Sequence, residues 1–306
     1  MFLTRNRKKV YKVSILIAVV LFQANWALGQ HKAVWVERCL TETTHEDRYA
    51  SYSPNGEWIV FESNRDGNWD IYMMNSQGEN VKRLTYNESE DRRPSWHPNG
   101  EKVLFESNRN GSNELFTLNL RSGKEKKLKQ NTKDGEFVFA SYSPNGKRIA
   151  VSLRESEQKS KIVLLSKKGK RVKTIIENGK RNFYPRWSKD GKEIVYFSRK
   201  DTDNKDDEIY GINLETGVEA RLTLWKTHNF CPSWSFDNSQ IVYVTSMEGS
   251  RPEIFIMDRD GNNKTQITHN EEGDTLPNWH PKENRILVTA YRNGNYQICE
   301  LELSEK

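Results

Sequence analysis

Several features that usually carry catalysis are missing from this sequence. It contains no Gly-x-Ser-x-Gly element, which excludes the nucleophile elbow of a serine hydrolase. Its six histidines are scattered along the chain, so they do not form a zinc site by their spacing. No segment repeats apolar residues with a period of 3.6, which excludes a helical solenoid. The remaining signals come from short strands and turns.

The sequence also lacks a long hydrophobic run and an excess of charge outside its first residues. The apolar run Val13–Phe22 follows five basic residues and precedes Ala27-Leu28-Gly29, an arrangement that predicts a secretory signal peptide over residues 1–29. The alternative is an uncleaved membrane anchor, for which this run falls short of the ~20 apolar residues that a span requires. Residues 1–29 hold five of the 48 Lys and Arg and no acidic residue, which leaves 43 basic against 42 acidic residues. The balance argues against nucleic-acid binding.

What the sequence does contain is a repeated unit. Arg93-Pro94-Ser95-Trp96-His97-Pro98-Asn99-Gly100 places an aromatic residue before a tight turn, and the apolar run Val103-Leu104-Phe105 follows. The turn recurs six times at spacings of 44 to 47 residues. The aromatic residues directly before the turns are Tyr52, Trp96, Tyr142, Trp187, Trp234 and Trp279. We interpret them as wedges between neighbouring repeats rather than as ligand-stacking residues.

Each repeat contains four short strands, which predicts an all-β fold: a six-bladed β-propeller of four-stranded blades over residues 30–306. The segment Val36–Thr41 resembles the outermost strand of the first repeat but precedes it, whereas the sixth repeat stops after its third strand. The N-terminal strand is therefore expected to close the last blade. Two cysteines, Cys39 and Cys299, fall on the strands that would pair there. A disulfide between them is one alternative, and two thiols facing different ways is the other.

The repeat resembles that of the TolB-type six-bladed propellers, which also occurs in the tricorn and prolyl oligopeptidase propellers. The resemblance covers nearly all of the chain after residue 30 and implies the fold more than the function. The chain shows neither the additional N-terminal domain of TolB nor a peptidase domain. Participation in a Tol–Pal-like system is therefore left open.

In a propeller, the start of each innermost strand and the hairpin between the second and third strands surround the mouth of the central channel. Aligning the repeats predicts which side chains lie there. The expected binding residues are Asp47, Arg65, Asp91, Arg109, Asn182, His228, Asn229, Asp274 and Arg292. Four of these residues, Asp47, Asn182, Asn229 and Asp274, come from consecutive blades and could hold Ca²⁺. Alternatively, they cap turns and pair with arginine.

The function expected from the sequence is a non-catalytic binding platform, periplasmic or secreted, that recognises a protein, peptide or glycan at the channel mouth. It is expected to act as a monomer, without a membrane span after signal cleavage and without a required cofactor. The alternative is a metal-dependent hydrolase or lyase with Ca²⁺ in the channel. The sequence does not identify the partner.

Overall fold

The computed structural model describes residues 34–201, 206–224, 227–247 and 249–304. The predicted signal peptide, residues 1–29, lies outside the described residues. Residues Trp35–Glu302 form one compact unit, and a second unit consists of residues 1–34 and 303–306, of which Val34, Leu303 and Ser304 are described. Among the described residues, no helix has the length and apolar character that crossing a membrane would require.

The described strands form six four-stranded antiparallel sheets, which confirms the predicted six-bladed propeller. Blade 1 contains β2 (Asp47–Tyr52), β3 (Trp58–Ser63), β4 (Asp70–Asn75) and β5 (Lys82–Arg83). Blade 2 contains β6 (Asp91–Trp96), β7 (Lys102–Ser107), β8 (Glu114–Asn119) and β9 (Glu125–Lys127). Blade 3 contains β10 (Glu136–Tyr142), β11 (Arg148–Ser156), β12 (Lys159–Ser166) and β13 (Arg171–Ile176), and a 3₁₀ turn (Thr132–Asp134) precedes it.

The second half of the ring repeats this order. Blade 4 contains β14 (Asn182–Trp187), β15 (Glu193–Ser198), β16 (Glu208–Asn213) and β17 (Glu219–Arg221). Blade 5 contains β18 (His228–Trp234), β19 (Gln240–Ser246), β20 (Glu253–Asp258) and β21 (Thr265–Gln266). Blade 6 contains β22 (Asp274–Trp279), β23 (Arg285–Arg292), β24 (Asn295–Ser304) and, at its outer edge, β1 (Val34–Cys39).

The second strand of each blade forms the core. In blade 1, Ile59, Val60 and Phe61 are completely buried because both faces of the sheet are covered by neighbouring blades. Such strands show a continuous apolar run instead of alternation, which is why the sequence revealed them so clearly. Blade 1 packs against both blade 2 and blade 6, so the ring is closed.

The N-terminal strand closes this ring, as predicted. Strand β1 pairs with β24, and the backbone NH of Leu40 donates to the carbonyl oxygen of Ile298 at 2.8 Å. Cys39 and Cys299 form a disulfide across the same pair of strands, which decides between the two alternatives left open by the sequence. Edge pairing and a covalent bond therefore join the first and last strands of the described chain.

The aromatic residues before the turns do act as wedges between blades. The indole Nε1 of Trp96 donates to the carbonyl oxygen of Ser51 at 3.0 Å, and that of Trp187 donates to Ser141 at 3.3 Å, so each indole reaches the preceding blade. In the last blade the indole of Trp279 instead bonds Glu283 in its own turn, at 3.2 Å. The wedge is thus general, whereas its hydrogen bond is not.

A bulge interrupts every innermost strand at the same place, two residues after its mouth end. The bulged residue has positive φ, between 50° and 61°, in all six blades. These residues are Tyr49, Arg93, Phe139, Tyr184, Cys231 and Leu276, and we call them the channel plug. A bulge redirects the side chain that it carries. It therefore lets one residue per blade turn towards the axis.

The plug fills the middle of the channel with aromatic rings around one cation. The guanidinium of Arg93 lies 4.6 Å from the ring centroid of Phe139 and 5.6 Å from that of Tyr49. A buried carboxylate, Glu106, pairs with Arg93 at 2.6 Å and also accepts the backbone NH of Phe139 at 2.6 Å. Cys231 is buried, and burial raises the pKa of its thiol to about 12, so this thiol is unreactive.

Candidate binding surface at the channel mouth

Three of the predicted mouth carboxylates form ion pairs with the predicted hairpin arginines. Arg65 contacts Asp47 at 2.9 and 3.1 Å, and Arg109 contacts Asp91 at 3.0 and 2.9 Å. In the last blade, Arg292 contacts Asp274 at 2.7 Å. In each pair the arginine follows the aspartate by 18 residues, because the pair joins the first strand of a blade to the end of the second. The structure therefore brings together these six predicted residues as three separate pairs.

These aspartates lie beneath the surface of the mouth. Asp47, Asp91 and Asp274 are completely buried, whereas the arginine side chains above them keep 16–23% of their area exposed. The loop before each blade supplies a further donor to two of them, because Asn87 bonds Asp91 and Asn270 bonds Asp274, both at 2.5 Å. A ligand at the mouth would meet the arginines, and the aspartates hold these arginines in position.

Burial and charge act in opposite directions on the carboxyl group of Asp274. Removal from water raises its pKa, because the charged form loses hydration, and the guanidinium of Arg292 opposes that rise. Arg292 also bonds Glu37 of strand β1, with Nη2 2.6 Å from Oε2. This arginine therefore links the closing strand to the mouth.

The two predicted amides, Asn182 and Asn229, form hydrogen bonds with residues of their own blades. The Asn182 amide donates to the carbonyl oxygen of Ser160 at 2.8 Å and accepts the hydroxyl of Ser198 at 2.8 Å. Asn229 donates to Glu208 at 3.1 Å and accepts the hydroxyl of Thr245 at 2.9 Å. Both amides are completely buried. They replace the aspartate of blades 1, 2 and 6 as a neutral turn cap.

The four residues predicted as Ca²⁺ ligands are therefore all engaged within their blades. A cation bound by Asp47 or Asp274 would have to displace the guanidinium of Arg65 or Arg292. Among the described residues, the closest group of metal-binding types is Glu37, Cys39 and Cys299, whose two sulfurs are bonded to each other. The donor set does not favour a calcium site, and Ca²⁺ binding stays a prediction to be tested.

His228 is the most exposed of the predicted binding residues, with 41% of its side chain accessible. Its Nδ1 lies 3.9 Å from a carboxylate oxygen of Asp207, which Arg199 also contacts at 2.9 and 3.1 Å. His228 thus belongs to a charged group between blades 4 and 5. Residues 202–205 of the neighbouring hairpin lie outside the described part of the chain.

Aromatic residues that the sequence analysis did not select add a continuous surface at the mouth. The guanidinium of Arg48 lies 4.2 Å from the ring centroid of Tyr296 and 5.2 Å from that of Trp69. Arg92 also contacts Trp69, with its guanidinium 4.3 Å from the ring centroid. Tyr291 continues the row with an edge contact to Tyr296 at 5.1 Å. We call Tyr291, Tyr296, Arg48, Trp69 and Arg92 the aromatic–arginine ladder.

The ladder crosses three blades and is only half-buried. It begins on blade 6, passes over blade 1 and ends on blade 2, so the ring closure brings its two ends together. The sequence did carry a signal for it. Trp69 follows Gly67 by two residues and Tyr296 follows Gly294 by two residues, in hairpins that both face the mouth. The charged and amide residues of the predicted set occupy other positions of the same loops, so these rings lie outside that set.

The fold and this site define a closed six-bladed propeller whose mouth presents arginines and aromatic rings. The chain belongs to the TolB beta propeller domain family, which it matches over residues 38–201 and 152–306. An uncharacterized protein of Agrobacterium fabrum is 28% identical over 149 residues, and the chain spans about half (49%) of its length.

Solved structures show the same fold. A putative TolB from Agrobacterium tumefaciens superposes with a TM-score of 0.62 at 25% identity, over 69% of this chain and 73% of that one. TolB from Acinetobacter baumannii gives a TM-score of 0.62 at 18% identity, over 95% of this chain and 69% of that chain. An oligogalacturonate lyase from Vibrio parahaemolyticus gives a TM-score of 0.61 at 14% identity, over 89% of this chain and 98% of that chain. The last two similarities concern the fold alone.

Proposed function

We propose that this protein is a non-catalytic binding platform of the cell envelope, periplasmic or secreted, that recognises a protein or peptide through the aromatic–arginine ladder. The ladder itself is the observation that carries the proposal. Arginine and large aromatic residues dominate binding energy at protein interfaces, and here they form one half-exposed row across three blades. A glycan could use the same rings, since sugars also stack on aromatic faces.

The charges around the ladder support recognition rather than chemistry. Arg48 pairs with Glu46, and Arg92 lies 2.9 Å from the buried Glu62. Ion pairs of this kind suit a polar partner with charges of both signs, and the attraction to such a partner weakens as salt increases. The mouth aspartates are occupied by arginine, so the metal-dependent hydrolase or lyase is the less favoured alternative. Calorimetry with Ca²⁺ distinguishes the two: saturable binding would support the alternative.

Variants of the half-buried Trp69 and of the exposed Trp58 test the proposal. Wild-type protein is used to capture partners from the envelope fraction, and affinity for the purified partner is then measured. Trp69→Ala should weaken binding by roughly 30-fold or more, the loss expected for a hot-spot residue. Trp58→Ala is the matched control, because Trp58 begins β3 at the opposite end of the blade and is 36% exposed.

Binding that survives Trp69→Ala and Tyr296→Ala but fails in Trp58→Ala would place recognition at the wrong end of the propeller. Near-ultraviolet circular dichroism and melting curves of each variant would show that a lost interaction does not come from unfolding. A glycan array probed with the same variants would distinguish a sugar from a polypeptide.

A further inference from the structure

The end of the channel opposite the mouth contains a cavity of about 300 Å³ lined by residues from all six blades. The second residue after each plug residue contributes to its wall. In chain order these residues are Ser51, Ser95, Ser141, Arg186, Ser233 and Asn278. Five of the six blades thus supply a small neutral polar group, and blade 4 alone supplies a cation.

Arg186 has no acidic partner among the described residues, and the wall of the cavity contains no aspartate or glutamate. Its Nη1 donates to the carbonyl oxygens of Pro185 at 3.0 Å and Phe139 at 3.5 Å. The guanidinium carbon lies 3.6 Å from the ring centroid of Tyr184. The guanidinium also hydrogen-bonds the side chain of Tyr184, and no acidic residue of the described chain neutralises it, which leaves a positioned positive charge for an anion.

A second donor at the cavity also lacks a partner. Trp234 is 7% exposed, and its Nε1 is buried without an acceptor among the described residues. In blades 2 and 4 the equivalent indole donates to a carbonyl of the preceding blade, which for Trp234 would be that of Arg186. The hydroxyl of Ser51 is buried and unpaired as well. Both atoms are sealed from solvent, so their missing hydrogen bonds are a cost of the local packing, and Arg186 is the group that the cavity offers to a ligand.

We propose that this cavity binds a carboxylate, with Arg186 as the charge that holds it. A planar carboxylate matches the paired Nε and Nη2 donors of a guanidinium edge. The indole and phenol walls, among them Trp96 and Tyr142, suit the carbon skeleton that carries the carboxylate better than they suit a bare inorganic ion. The site is independent of the ladder, which lies at the other end of the channel.

The replacement Arg186→Ser provides a clean test, because serine is the residue that four other blades carry at this position. Acetate and succinate are titrated into wild-type protein and binding is followed by calorimetry and by tryptophan fluorescence, since four indoles line the cavity. Wild type should bind saturably, and Arg186→Ser should bind roughly 10- to 100-fold more weakly. Arg121→Ser, which removes an exposed charge from a turn outside the cavity, should behave like wild type.

Two sources of carboxylate are separated by the same titration. A short peptide with a free C-terminus is compared with its C-terminal amide. If the peptide with the free C-terminus binds more tightly than its amide, the ligand is a peptide terminus. If both peptides bind equally weakly while succinate binds tightly, the ligand is a small organic acid. Equal affinity of wild type and Arg186→Ser, no saturable binding by wild type, or a preference for phosphate over every carboxylate would overturn the proposal.

Discussion

Removal of the disulfide between Cys39 and Cys299 should destabilise the whole propeller, because this bond closes a loop of nearly the full described chain. The two cysteines are 260 residues apart in sequence. The chain-entropy relation for a loop of this length gives about 5 kcal/mol at 25 °C, and native disulfides typically contribute about 2–5 kcal/mol. We therefore expect Cys39→Ala/Cys299→Ala to lower the free energy of unfolding by about 2–5 kcal/mol.

Urea unfolding measures this loss directly. With an m-value of about 3 kcal/mol/M, the midpoint should move down by about 1 M, and reduction of wild type should produce the same shift. A thiol titration in denaturant supplies the control. The oxidised protein should expose one thiol, that of Cys231, and the reduced protein should expose three.

Two results would refute the reasoning. Three thiols in the oxidised protein would show that the bond does not form. A single thiol together with an unchanged midpoint in the double variant would show that the closure by β1 and β24 does not depend on the covalent link.

Three further predictions follow from single contacts. Trp96→Ala should cost about 3–5 kcal/mol by leaving a cavity between blades 1 and 2, as measured by thermal or urea unfolding. Asp91→Asn should cost about 1–3 kcal/mol and loosen Arg109, while Asn99→Asp on the exposed turn should change stability little. Burial lowers the pKa of His97 and His280, so these imidazoles bind protons more weakly in the folded protein than in the unfolded chain. The free energy of unfolding should therefore fall as pH drops below about 6.5, and His97→Ser/His280→Ser should flatten this dependence.

The architecture was predictable because the same pattern of turns and strands recurs in every repeat. Six turns with an aromatic residue before them, each followed by a continuous apolar strand, leave few folds open, and the fourth strand missing from the last repeat could only come from the N-terminus. The aspartate–arginine pairs were predictable as alternatives to a metal site. Their constant separation of 18 residues reflects one geometry used in three blades.

Side-chain direction around the channel was not predictable in the same way. Alternation along a strand assigns faces only while the pairing is regular, and the bulge after Arg48, Arg92 and their equivalents breaks it in every blade. The aspartate before the bulge is therefore buried inside its blade, whereas the residue at the bulge enters the channel. An alignment of the repeats gives the position of each residue along the strand and not the side on which it emerges.

Repetition also separates structural from functional features at the two ends of the channel. A contact found in several blades, such as Asp47 with Arg65, solves a problem that all blades share. The arginine at position 186 occurs once, so packing common to the blades does not explain it. The row from Tyr296 to Arg92 uses one contact, arginine on an aromatic ring of the preceding blade, at two consecutive blade junctions. The row also depends on the ring closure, since Tyr296 lies three residues before Cys299 on β24 while Arg48 lies on β2. Opening the ring would separate these two side chains, so the disulfide should stabilise the candidate binding surface together with the fold.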